Sequence, residues 1–156
     1  MAERLAAAYA VREGIEGLTT ASAGTRALVD QPIHSQAQSV LERLGGDASN
    51  FAARRLSAKI VSSADLVLTM TRRHRDSVLE LAPHKLRSTF TLTEAARLAT
   101  VHGAQDIDAL ANLRRHVPTS QIVDVVDPIG QDPAVFAGVG AQIAELLPPV
   151  LRLCRP

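Results

Sequence analysis

"DLVLTMTRRHRDSVLELAP", residues 65–83, decides the fold class. Its first six residues, 65–70, are a near-continuous apolar run of strand length, as expected for a strand buried on both faces of a parallel sheet. The remainder, 71–83, changes period and reads as a helix with Val78 and Leu81 turned inward. A buried strand feeding directly into an amphipathic helix is half of a βαβ unit.

The same alternation extends in both directions. Upstream, 1–13 reads as a helix with Met1, Leu5, Ala8 and Tyr9 on one face and Gly14 as its stop. "LTTASAG", 18–24, reads as a strand running into a tight turn. In 32–46, Ile33, Ala37, Val40, Leu41 and Leu44 form a stripe of helical period that Gly45 and Gly46 end. Residues 57–64 fit a short helix capped by Ser57. Downstream, "STFTL", 88–92, is a second short strand, and Thr91 with Glu94 has capping-box spacing for a helix through Leu98. Residues 106–117 read as a helix carrying Ile107, Leu110 and Ala111 on one face, closed by Pro118. "IVDVV", 122–126, fits either a strand or an extended approach to the next loop. Asp132 is read as capping a last helix, with Pro133 at its first position, that buries Phe136, Gly140, Ile143 and Leu147, and Pro148–Pro149 are expected to kink or restart it. The expectation is a single α/β domain over 1–156, a three-layer sandwich with a small parallel sheet built on three strands.

Composition narrows the function classes. The chain has 156 residues, 46% hydrophobic and 21% charged, with a formal net charge of +1. That balance gives no global reason to bind nucleic acid. "TRRHR", 71–75, reads as a solvated helix start, because no aromatics flank it to stack bases. The longest apolar stretches fall far below roughly 18 residues, so no membrane span is expected. The five histidines show no ligand spacing, the one cysteine (Cys154) makes no intrachain disulfide, and no dinucleotide or Walker motif is present. No metal and no cofactor are expected, and a reducing cytoplasm is the simplest home.

"VVDPIGQDPAVF", 125–136, carries the chemistry: an apolar run stops at Asp127, Pro128 fixes the turn, Gly130 reverses it, and a helix restarts at Pro133. Read alone, Asp127 is a turn residue. Together with "MAERLAAAYA", "TTASAGT", "FAARRLS" and "ADLVLTMTRRHRDSV", however, the ordered set resembles the low-molecular-weight protein-tyrosine phosphatases from Met1 to about Leu147. The resemblance implies the phosphotyrosine protein phosphatase I-like fold. It also implies hydrolysis of a phosphomonoester through a cysteinyl phosphate, on a phosphotyrosine protein or a small phosphomonoester. In that mechanism a Cys-x-x-x-x-x-Arg-Ser loop cradles the phosphate at a helix N-terminus and supplies the nucleophile. By match, Asp127 is the general acid, Ser22 supports the phosphate loop, Arg54 is a structural arginine, and Ile129 takes the place of an aromatic residue that flanks the substrate ring. Ile129 therefore weakens the expectation of a phosphotyrosine preference.

The resemblance places the first central strand, the cysteine and the clamping arginine ahead of the methionine that matches Met1. The expectation is an N-terminally truncated chain with that strand missing, inactive as it stands, marginal in stability or self-associating through the unpaired strand edge. Cys154, followed only by Arg155 and Pro156, cannot replace the nucleophile. Two further readings remain open at this point: a non-catalytic binding or regulatory module of the same fold, and a thiol-dependent arsenate reductase, which a single cysteine disfavours.

Overall fold

The computed structural model describes residues Met1–Arg155, in two compact units: Met1–Arg55 with Asp127–Pro156, and Leu56–Val126.

The first unit is helical. Helix α1 (Ala2–Glu13) ends at Gly14, whose φ of 63° is a left-handed conformation that a Cβ would penalise. It buries Leu5, Ala6 and Ala10, a face rotated slightly from the one the spacing suggested. Helix α2 (Ser35–Arg43) is shorter than its apolar stripe and buries Val40 and Leu41. Helix α7 (Pro133–Leu151) is the unit's core element and packs on both α1 and α2. It buries Phe136, Val139, Gly140, Ile143, Leu147, Val150 and Leu151. His34, at the entry to α2, stacks on the Phe136 ring with centroids 5.2 Å apart.

The structure refines two sequence expectations about α7. The helix does not restart at Pro148 and Pro149; it runs through them to Leu151. The two missing N–H groups cost hydrogen bonds, but Leu147, Val150 and Leu151 beside them are buried. At about 1.5–3 kcal/mol for each buried side chain, that burial offsets the loss. Likewise, residues 133–154 are long and apolar enough, by length and composition alone, to cross a membrane. The sequence reading missed this because Ala, Gly and Pro interrupt the large aliphatics.

Gly140 shows how closely α7 and α2 approach. A Cβ there would lie 2.2 Å from Val40 Cγ1 and 3.2 Å from Leu44 Cδ1, whereas one on Gly138 would meet nothing within 4 Å. Gly140→Ala is therefore expected to destabilise the fold by about 1–3 kcal/mol, because overpacking against stiff Val40 outweighs the helix-propensity gain. Gly138→Ala is expected to stabilise it by about 0.5–1 kcal/mol. Paired urea melts read both; equal signs for the two would contradict the packing described.

The second unit holds the sheet. Strands β1 (Val67–Thr69) and β2 (Thr89–Thr91) pair in parallel, Val67 opposite Thr89, Leu68 opposite Phe90 and Thr69 opposite Thr91. Helix α4 (Arg72–Leu81) links them, capped by Thr71 Oγ1, which accepts from His74 N at 3.0 Å. The short helix α3 (Ala58–Ser62) is capped by Ser57 as expected. Thr91 and Glu94 form a complete capping box at α5 (Leu92–Thr100), and Asp106 caps α6 (Ile107–Leu113). Phe90, Leu92, Ala95, Leu98 and Leu110 are fully buried.

The chain is thus α/β with a small parallel sheet, but the sheet has two strands among the described residues rather than three. "LTTASAG" does not form a strand; it makes a single parallel bridge, Gly24 to Arg55. A strand needs consecutive lateral partners, and only Gly24 N finds one, at Arg54 O (2.9 Å). β1 is half the length of the apolar run and only Thr69 of its residues is buried. Leu81 is exposed, because the chain turns at the helix end and Ala82 instead enters the cluster of Val61 and Val78.

Candidate functional site

Asp127 sits exposed at the mouth of a tight loop. Its Oδ1 accepts from Ile129 N at 3.1 Å, and its carbonyl accepts from Gln131 Nε2 at 3.4 Å. Gln131 N closes the turn on Pro128 O at 3.0 Å, and Gly130 takes a φ of 77° there. The carboxylate is thus oriented by its own loop, and Oδ2 makes no hydrogen bond among the described residues. An aspartate held this way can present a proton outward. Ile129 is 60% exposed beside it and offers an aliphatic surface rather than a ring.

Ser22 and Arg54 are brought together. The Ser22 hydroxyl donates to a carboxylate oxygen of Glu3 in the first turn of α1. Its carbonyl accepts from Arg54 Nη2 at 3.0 Å and Arg54 Nε at 3.3 Å. Arg54 therefore braces segment 22–24 through both its side chain and its carbonyl. No hydrogen bond joins Asp127 to Ser22 or Arg54 among the described residues. Ser22→Ala is expected to cost about 1.5–3 kcal/mol, since it strips a hydrogen bond from a charged and largely buried acceptor; the midpoint of thermal unfolding checks it, and an unchanged midpoint would remove Ser22 from the framework.

At the start of α1, burial pulls the Met1 amino group below its ordinary pKa; Glu3 opposes that shift and Arg4 adds to it. Cys154 lies partly buried in the final turn, with Sγ 3.8 Å from Val150 O.

The basic run 71–75 serves local structure: Arg72 Nε lies 3.4 Å from Asp124 Oδ1 and Arg75 Nη2 lies 3.0 Å from Asp76 Oδ1. His102 and His116 stack with centroids 6.2 Å apart, and among the described residues no three metal-ligating side chains gather.

Two polar nodes escaped the sequence reading. Glu94, 2% exposed, receives Arg114 Nε at 2.9 Å. Arg114 also donates to Leu86 O at 2.8 Å and to Thr89 O, and its guanidinium lies 3.9 Å from the Phe90 ring centroid. The second node is the stretch before the aspartate loop. "IVDVV" is not a strand; it is pinned by Thr93 Oγ1 donating to Val123 O (2.7 Å), Arg72 N donating to Asp124 Oδ1 (2.9 Å) and Val125 N donating to Met70 O (2.8 Å). These partners lie 20 to 55 residues away in sequence, and no local spacing marks them.

Comparison with known proteins gives a consistent result. The sequence model of "Low molecular weight phosphotyrosine protein phosphatase" matches residues 1–102. The chain is 30% identical over 86 residues to the low molecular weight protein-tyrosine-phosphatase Ptp of Acinetobacter johnsonii, covering 55% of this chain and 61% of the relative. It is 39% identical over 66 residues to Wzb of Salmonella typhi, covering 42% and 44%. These matches span less than two thirds of the relatives' length. Among solved structures, the chain resembles the low molecular weight protein tyrosine phosphatase of T. tengcongensis, with a TM-score of 0.74, 25% identity, and 96% and 86% of the two chains covered. It also shares the fold of a YwlE mutant from Bacillus subtilis, with a TM-score of 0.75, 24% identity, and 97% and 86% covered.

Proposed function

We propose, from the premise that the chain belongs to the low molecular weight phosphotyrosine protein phosphatase family, that these 156 residues supply the proton donor and the supporting framework of a phosphomonoester hydrolase. The observation that carries the reading is the Asp127 loop, which orients one carboxylate oxygen internally and leaves the other outward. In the family's chemistry a thiolate attacks phosphorus while the P–O bond to the alcohol breaks. Asp127 in its acid form gives its proton to that departing oxygen. As a carboxylate it then takes a proton from the water that attacks the cysteinyl phosphate, releasing inorganic phosphate and the thiolate. Ser22, Glu3 and Arg54 hold segment 22–24 in place as the framework beside the phosphate loop.

In this reading Cys154, the one cysteine of the given sequence, does not serve as the nucleophile. The substrate is a phosphomonoester, on a protein or small molecule, without strong selection for an aromatic ring, because Ile129 is aliphatic. A cytoplasmic setting fits a thiolate enzyme. The test is hydrolysis of an aryl phosphate by the 156-residue chain and by its Cys154→Ser variant. Both are expected to stay at the rate of a denatured control. Turnover abolished by Cys154→Ser would overturn the assignment of the nucleophile elsewhere.

A further inference from the structure

Asp124 lies three residues before the proposed acid, in a segment where one backbone group on each side of it is also tied down. Its Oδ1 accepts from Arg72 N, the first backbone N–H of α4, at 2.9 Å. That N–H has no partner within the helix, and a carboxylate is favoured at a helix N-terminus. Thr71 Oγ1 satisfies a second such group, His74 N, so Asp124 and Thr71 together satisfy two of the first N–H groups of α4. On either side, Val123 O accepts from Thr93 Oγ1 at 2.7 Å and Val125 N donates to Met70 O at 2.8 Å. Three consecutive residues are thus fastened to the end of β1, the start of α4 and the start of α5. Beyond them, Val126 and Asp127 are exposed.

We infer that Asp124 is a positioning residue for Asp127: its bond to the N-terminus of α4 fixes the point from which the acid loop departs. This rests on the reading of Asp127 as the general acid. The bond to Arg72 N carries the effect, not the charge pair with the Arg72 side chain. Both side chains of that pair are more than a third exposed, and exposed pairs contribute little.

The first arm uses the 156-residue chain and needs no activity. In Asp124→Ala, backbone 15N order parameters for residues 126–130 are expected to fall below about 0.6, and the Val125 amide to exchange faster. Amides within α5 and α7 keep their protection. Asp124→Asn retains an oxygen that can accept from Arg72 N and is expected to stay near wild type, as is Arg72→Ala. Unchanged order parameters in Asp124→Ala would overturn the inference, and so would a uniform loss of protection, which marks a merely structural role.

The second arm uses the chain extended ahead of Met1 by a strand and a Cys-x5-Arg-Ser loop. Loss of a well-placed proton donor slows substrates with poor leaving groups most. Asp124→Ala is expected to lower kcat roughly tenfold for phenyl phosphate and much less for dinitrophenyl phosphate, with Asp124→Asn restoring most of the loss. If Asp127→Asn shows this leaving-group dependence and Asp124→Ala does not, the positioning role fails alone. If neither shows it, the acid assignment itself fails.

Discussion

Arg114→Ala is expected to destabilise the unit formed by residues 56–126 by about 3–5 kcal/mol, the range for breaking a buried ion pair by removing one partner. Glu94 is 2% exposed and sits in the capping box of α5, so its carboxylate cannot recover the lost bond from water. The substitution also strips donors from Leu86 O and Thr89 O and removes the cation over Phe90. Arg114→Lys rescues only part of this, because a compact ammonium cannot span two carbonyls, a carboxylate and a ring face. Glu94→Gln in the Arg114→Ala background is expected to recover some stability, since a neutral amide is cheaper to leave unpaired than a carboxylate. Urea unfolding of the three variants measures this. A loss below about 1 kcal/mol for Arg114→Ala would show a surface-like pair.

Asp127→Asn carries the largest expected effect on chemistry. In the extended chain, with its cysteine supplied, kcat for phenyl phosphate is expected to fall by about 10²- to 10⁴-fold, the usual contribution of a general acid. The amide keeps an oxygen for Ile129 N, so the loop geometry survives and the loss reports the proton. The fall is smaller for a leaving group that departs as a stable anion. Equal losses across leaving groups would assign Asp127 to structure.

Local signals were read well from the sequence. Ser57 and Thr91 cap the helices that follow them as read, because a cap depends on residues within one turn, whereas Asp132 opens α7 without a side-chain cap bond. The pairing of β1 with β2 followed from the strand–helix–strand order at 65–92. Long-range partners were not legible. The sequence reading treated "LTTASAG" as a strand although only Gly24 finds a lateral bridge. It assigned Arg114 no role and left Asp124 as part of an undecided stretch. Each of these is settled by a contact between distant residues, where propensity and period carry no information. At the candidate site, Asp127 and the turn around Gly130 could be read from Pro and Gly spacing, whereas the Ser22–Glu3 bond, across 19 residues, could not.

The central claim is that these residues hold the acid and the framework of a phosphatase but not its nucleophile. The most direct measurement is aryl phosphate hydrolysis by the 156-residue chain beside the same chain extended ahead of Met1 by a strand and a Cys-x5-Arg-Ser loop. The account predicts turnover only in the extended chain, abolished when the loop cysteine becomes serine. An extended, folded chain that remains inactive, or an unextended chain that turns over as fast, would contradict it.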